Sequence, residues 1–491
     1  MNASLLRQVQ VLFVIVALAG TVRAAEPPSL QAKAYQALDQ VREEKRTQLT
    51  AYFDRMELLA KEARDDSLIN WYFTIEQRYW KLQQESPAPA EAKRTIKALR
   101  ESERSYYLSH YQPFYNILLV DKSGYVLSSM RTQRDYHQNL LEGDLQHTAL
   151  SAHLRQKPKE AFVDYQFYWV SDEPSAFFVE PLVVGGQHQG WLVLQCAINK
   201  INAIFSRGNV QGNTGETFLV NRQHQMLTES RLYPNDGTPL RGLANENIEA
   251  KFAEREGHKR VIDYRGYPVL TSFSVCPVLD SEWLVVAKID EDEVITRYFQ
   301  DNLASLEPAL IKKLPTLKQM ECSAQELPKS PLVVDMDEFR ISHQEPLITF
   351  GVSTCTAIVI TLPGKIAYMG HASVNDRIYG AGELDVLGTM LRSIRQFEIL
   401  PYQLRGINIF LVAPHQKSFS ESLKMLLDAG IFLSQIHFIQ EPEADSATIV
   451  TDPVKGKILV RWKIKDDKGM QWQWADGTSG LDVPVKAIIG Y

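Results

Sequence analysis

From about Leu30 the apolar positions recur at three- and four-residue steps. Tyr35, Leu38 and Val41, then Leu49, Tyr52, Phe53, Met56 and Leu59 fall on one helical face, with charges on the other. This predicts a long amphipathic helix and then a second one reaching Gln84. Ser86-Pro-Ala-Pro-Ala90 punctuates the pattern, and a further helix runs to about Leu108. The spacing then turns strand-like. Tyr115–Val120 and Tyr125–Ser129 flank an Asp121-Lys-Ser-Gly124 turn, and Ser175–Val184 and Gln189–Cys196 flank Gly185-Gly186. The plan recurs at Thr217–Val220, Gln225–Thr228, Arg260–Tyr264, Pro268–Cys276 and Trp283–Asp290. A long helix followed by two similar antiparallel sheets predicts a duplicated α+β module over about residues 30–300.

Residues 301–335 read as a linker, with Pro308, Pro315, Pro328 and Pro331 around a charged helical piece. A last domain spans 336–491. Pro346–Phe350 is strand-like, Gly351-Val-Ser-Thr-Cys355 is a small-residue bend, and Thr356–Leu362 is an apolar β-branched run. Lys365–His371 is the return strand. A three-residue loop Leu362-Pro363-Gly364, with Gly364 at positive φ, would pair Thr361 with Lys365 and set Cys355 opposite His371. Opposed residues share a face about 5 Å apart, close enough for an imidazole to help ionise a thiol. A one-residue slip would put the two on opposite faces.

Composition narrows the classes. The chain has 491 residues, 45% hydrophobic and 23% charged, ordinary for globular domains and too long for one core. A net charge of -6 gives no reason to expect nucleic acid as a partner. Arg7 precedes an apolar run, Val11 to Gly20, then small residues and Glu26-Pro27-Pro28. That run is short for a membrane span and suits a secretory signal over residues 1–24, or a short anchor, so the rest is expected outside the cytoplasm. Of the four cysteines, Cys196 and Cys276 lie in apolar strand-like runs and read as buried hydrophobes, and Cys322 lies in the linker. Their spacing matches no metal knuckle. His343, His415 and His437 read as surface or loop residues.

Two stretches resemble known families. Ala161-Phe-Val-Asp-Tyr-Gln-Phe-Tyr168, Phe177-Phe-Val-Glu-Pro-Leu-Val183 and Ile198-Asn-Lys-Ile-Asn-Ala-Ile204 resemble the membrane-distal half of a double Cache domain. Thr214-Gly-Glu-Thr-Phe-Leu-Val220, Tyr264-Arg-Gly-Tyr-Pro-Val-Leu270 and Trp283-Leu-Val-Val-Ala-Lys-Ile-Asp290 resemble the proximal half. The resemblance implies two PAS-like antiparallel modules behind a long helix, forming an extracytoplasmic small-molecule sensor. Its amino-acid-binding pattern, an Arg followed closely by Trp-Tyr, is not evident. Tyr165, Tyr168, Trp169 and Asp172 are the candidate ligand-binding residues, because aromatics and a carboxylate cluster there.

The frame Thr349-Phe-Gly-Val-Ser-Thr-Cys355-Thr-Ala-Ile, followed by Gly370-His371, resembles the chemoreceptor glutamine deamidase family CheD. That resemblance implies an α/β layered domain and a cofactor-free cysteine amidohydrolase. Cys355 would be the nucleophile, His371 the base, and Thr349 the group that holds the imidazole. It also implies a protein substrate or signalling partner. The family's Gly-Gly-Ala loop is replaced here by Ala413-Pro414-His415, which puts receptor glutamine in question as substrate. The alternative is a non-catalytic binding protein with a CheD-like docking domain.

Overall fold

The computed structural model describes residues 29–85, 89–156, 159–206, 212–232, 239–243, 247–312, 329–362, 364–373, 385–396, 405–414, 419–441, 443–454, 456–465, 472–475 and 480–491. The expected signal segment, Cys322 and His415 lie outside them. Among the described residues no helix is long and apolar enough to cross a membrane.

Helix α1 (Leu30–Asp65) begins where the Ser29 hydroxyl accepts the Ala32 N–H at 3.2 Å. It ends at Asp66, whose carboxylate accepts the Leu68 N–H at 2.8 Å and so opens α2 (Ser67–Glu85). Helix α3 (Ala90–His110) follows. The first sheet holds β1 (Asn116–Asp121) and β2 (Val126–Ser129). Beyond α4 (Ala149–Leu154) it adds β3 (Ala161–Tyr168), β4 (Glu173–Val184) and β5 (Gln187–Ala197), in the order β2-β1-β5-β4-β3. After α5 (Asn199–Ser206) come β6 (Glu216–Val220), β7 (Gln225–Met226), β8 (Arg241–Gly242), α6 (Ile248–Glu254), β9 (Glu256–Ile262), β10 (Pro268–Val278) and β11 (Ser281–Asp290). Their order is β8-β7-β6-β11-β10-β9. Without the extra edge strand β8, the second sheet repeats the order of the first, so the duplication read from the sequence is present in the topology.

The two sheets share one core along α1. Leu49, Phe53, Met56, Ala60 and Ala63 of that helix pack with Ile117 and Leu194 of the first sheet and with Trp283 and Val285 of the second. Trp283 is fully buried and donates its indole N–H to Asp164 at 3.0–3.1 Å, tying β11 to β3.

β11 runs directly into α7 (Glu291–Asp301), followed by α8 (Leu303–Lys312). The first part of the expected linker is thus helical. Ile295, Phe299 and Leu310 of these helices are buried in the core of the C-terminal unit. That unit begins with β12 (Leu332–Val333), β13 (Phe339–Ser342), β14 (Leu347–Val352), β15 (Thr356–Leu362) and β16 (Ile366–Ala372). It continues through α9 (Val386–Gln396), β17 (Asn408–Val412), α10 (Phe419–Asp428), β18 (Ile436–Ile439), β19 (Ala444–Asp452), β20 (Lys457–Ile464), β21 (Gln473–Ala475) and α11 (Asp482–Ile489).

Two five-stranded sheets form, β12-β14-β19-β20-β21 and β13-β16-β15-β17-β18. Their facing side chains, among them Leu347, Ile449 and Val460 against Val359, Met369 and Phe410, make one core. The other face of the second sheet, with Ile358, Ile360 and Tyr368, packs on Leu387 and Met390 of α9 and Leu423 and Leu426 of α10. The unit is therefore layered sheet, sheet and helix. The middle sheet feeds a different core from each of its two faces, which explains why β15 is buried along nearly its whole length.

Candidate active site

The β15–β16 hairpin departs from the expected register. Leu362 pairs with Ile366, Thr361 with Ala367, and Ala357 with His371. The turn is closed by the Lys365 N–H on the Leu362 carbonyl at 3.0 Å, with Gly364 at φ 71°. Leu362 remains in its strand instead of joining the loop, so the pairing moves by two residues. A two-residue shift preserves the face. Cys355 is therefore a diagonal neighbour of His371, about 7–8 Å away by strand geometry, rather than its direct opposite. Both belong to the side of the sheet that faces β14: Cys355, Ala357, Val359 and Met369 share the core between the two sheets.

Thr349 meets His371 across that core. β14 carries Thr349 immediately before an irregularity that lies between Thr349 and Val352, where Gly351 takes φ 68°. The Thr349 hydroxyl is fully buried. It donates to the Val334 carbonyl at 2.9 Å and lies 2.8 Å from His371 Nδ1. A hydroxyl has one proton, and here a carbonyl takes it. The contact with His371 must then be Nδ1–H donating to Thr349 Oγ1. In the neutral ring this leaves the lone pair on Nε2, which is buried and has no hydrogen-bond partner among the described residues.

The main chain of His371 is held from the other side. Its N–H donates to Glu338 O at 3.0 Å and its carbonyl accepts from Asp337 N at 2.6 Å. The Asp337 carboxylate in turn accepts the N–H and hydroxyl of Ser373 at 2.8 and 3.0 Å. Burial lowers the His371 pKa below the usual imidazole value, and the charges of Asp337 and Asp335 pull the other way. The ring is a neutral base at physiological pH. Burial raises the Cys355 pKa, opposed by hydrogen bonds from the Thr354 side chain and the Ser353 backbone and reinforced by Asp337. The resting thiol is accordingly protonated. Neither nitrogen of His371 bonds it: Nδ1 is committed to Thr349, and Nε2 has no partner among the described residues.

Sequence reasoning brought forward Cys355, His371 and Thr349; all three are buried, Thr349 and His371 are bonded to each other, and Cys355 lies on the same side of the sheet without a bond to either among the described residues. It missed Val334 and Asp337. Both act through backbone pairing of β12 and β13 with distant strands, which leaves no local pattern to read. It also misplaced one histidine. His437 is a buried strand residue stacked on Phe410 at 5.0 Å, not a surface group, because β18 pairs in parallel with β17. His343 is exposed, as expected.

The four ligand candidates of the N-terminal unit do not converge. Tyr165 is buried in the core shared with Trp283, while Tyr168 is buried in a separate cluster, with Trp169 against it, and donates to Asp135 at 3.1 Å. Asp172 is exposed at φ 54° in the β3–β4 turn. Positions 165 and 168 lie an odd number of residues apart, so the strand pleat sends them to opposite faces.

No family model matches the chain, and no curated protein does. Among solved structures, an extracellular ligand-binding receptor from Desulfohalobium retbaense aligns over 51% of this chain at 13% identity and TM-score 0.35; the chain spans 40% of that protein. The extracellular domain of a histidine kinase, vpHK1S-Z8, aligns over 55% of this chain and 94% of its own at 13% identity and TM-score 0.37. The ligand-binding domain of the Pseudomonas fluorescens chemoreceptor CtaA, solved with L-isoleucine, aligns over 55% and 95% at 13% identity and TM-score 0.34.

Proposed function

We propose that this protein is an exported sensor-enzyme: a double Cache-type small-molecule sensor joined to a CheD-like cysteine amidohydrolase. The observation that carries the enzymatic half is the Thr349–His371 hydrogen bond, which leaves Nε2 as a buried free base on the face that also carries Cys355. The repeated strand order along a single long helix supports the sensor half.

In the proposed reaction a side-chain carboxamide enters beside Cys355. Nε2 of His371 accepts the thiol proton as Sγ attacks the carboxamide carbon. Backbone N–H groups of the Gly351–Cys355 bend stabilise the oxyanion. The C–N bond breaks and ammonia leaves with the proton held by His371. Water, deprotonated by the same nitrogen, then cleaves the thioester to a carboxylate and restores the thiol. Thr349 keeps Nδ1 protonated throughout. Export places the substrate outside the cytoplasm, away from the receptor helices on which the CheD family acts.

Ammonia release from a protected Gln-Gly dipeptide and from unfolded casein tests this reading. Wild type is expected to release it, and C355S and H371A are expected not to. Release that survives in C355S would end the proposal. A second reading, a docking domain without turnover, is favoured by the protonated thiol and its lack of a bond to His371. It predicts no ammonia from wild type.

A further inference from the structure

A second site lies at the far end of the N-terminal unit, outside everything assigned above. Between α3 and β2 there is a cavity of about 150 Å3. Glu103 lines it and is 2% exposed. One carboxylate oxygen, Oε1, accepts the Tyr107 hydroxyl at 2.7 Å and the Ser128 hydroxyl at 2.9 Å. The other, Oε2, is buried, and no donor among the described residues reaches it. The nearest strong cation is committed elsewhere: Arg100 forms two 2.8 Å bonds with Glu76. A buried carboxylate with one satisfied and one open oxygen calls for a donor, and a charged donor suits it best.

We propose that this cavity binds a small primary ammonium ion, with Glu103 as its counter-ion. A cavity of this volume holds a molecule of about six heavy atoms. The side chain of Met130 gives an apolar wall for the alkyl part, and the Tyr136 ring closes one side. The mouth carries Lys97 and Arg104 against Glu101. That balance disfavours a second positive charge on the ligand, so the site takes monoamines or zwitterions and rejects diamines.

The groups facing Glu103 are Glu76 from α2, Lys97, Arg100, Arg104 and Tyr107 from α3, Ser128 from β2, and Tyr136 from the following loop. Burial is the largest influence on its carboxyl and pushes the pKa up to about 7. Ammonium binding needs the ionised form and therefore strengthens as pH rises through that value.

The test is a thermal-shift and calorimetric titration of the full chain with n-propylammonium, 1,3-diaminopropane and propionate. Propylammonium is expected to bind saturably and raise the melting temperature, with affinity increasing from pH 6 to pH 8; the other two probes are expected to do neither. Glu103→Gln, which keeps an acceptor for Tyr107 and Ser128, is expected to weaken propylammonium about tenfold or more. The wild-type pH profile decides the matter should that variant fail to fold. No saturable binding, equal binding by Glu103→Gln, a flat pH profile, binding of propionate, or a crystal grown with propylammonium that shows only water on Oε2 would each overturn the proposal.

Discussion

The guanidinium of Arg405, which lies just before β17 in the C-terminal unit, donates to the carboxylate of Asp290, the last residue of β11. Asp290 is fully buried and also accepts from Arg265 of its own unit. Arg405 reaches Asp292 at 3.1 Å and lies over the rings of Tyr267 and Phe432 at 4.7 and 4.3 Å, one from each unit. β11 continues without a break into α7, whose Ile295 and Phe299 belong to the C-terminal core. The end of β11 thus leads directly into the core that underlies the sheet carrying His371.

Arg405→Met is expected to loosen this junction. It strips one of two cations from a buried carboxylate, at a cost of about 3 kcal/mol. In urea the chain should then unfold in two steps, one per unit, where wild type shows one. A single transition with an unchanged midpoint would mean that the ion cluster does not couple the units.

Thr349→Val keeps the shape of the side chain and removes the acceptor for Nδ1–H. A buried donor left unsatisfied costs about 1–3 kcal/mol. Thr349→Ser retains the oxygen and should restore most of that loss. Nitrogen NMR of the His371 ring is expected to show the Nδ1-protonated tautomer in wild type and in the Ser variant, and a mixture in the Val variant. Ammonia release should follow the tautomer.

Stability should respond to pH in opposite senses at two sites. The folded His371 pKa lies below its unfolded value, so the unfolded chain binds the extra proton as pH falls. The favourable contribution is complete above the unfolded value and is lost below it. Glu103 is the reverse: its folded pKa of about 7 exceeds the ordinary carboxylate value of 4.5. Its contribution is complete below that ordinary value and is lost as pH rises through about 7. Relative to wild type, His371→Gln should therefore gain stability on acidification, and Glu103→Gln should gain it above neutrality. Denaturant midpoints for each variant at pH 5 and pH 8 check both signs.

Gly370, beside His371, supports the site from behind. A Cβ there would lie 2.6 Å from Val386 and 2.7 Å from Met390 Sδ. Gly370→Ala should cost about 1–3 kcal/mol by forcing α9 off the sheet. Met390→Ala in the same chain should recover part of the loss, since it opens the space the methyl needs. Thermal melts of the single and double variants test this. Additive losses would exclude the steric explanation.

Local patterns in the sequence determined the long helices and most strands of the N-terminal unit, but not β3, β8 or the short helices α4, α5 and α6. The three-residue steps from Tyr35 to Leu59 fixed α1, and the recurrence of apolar runs fixed a repeated sheet, because period and turn chemistry act over a few neighbouring residues. They also selected Cys355 and His371 and placed them on one face. Pairing between distant strands decided the rest. Whether Leu362 belongs to strand or loop is decided by its pairing with Ile366 of β16, and that set the register. Thr349 reaches His371 only because β19 and β20 build a second sheet that holds β14 over β16. The tautomer of His371 follows from the Val334 carbonyl, which nothing near position 371 encodes. The opposed placement of Tyr165 and Tyr168, and the unpaired oxygen of Glu103, are likewise decided by which elements pack on which face. A chain can write a face locally, but only packing decides what that face meets.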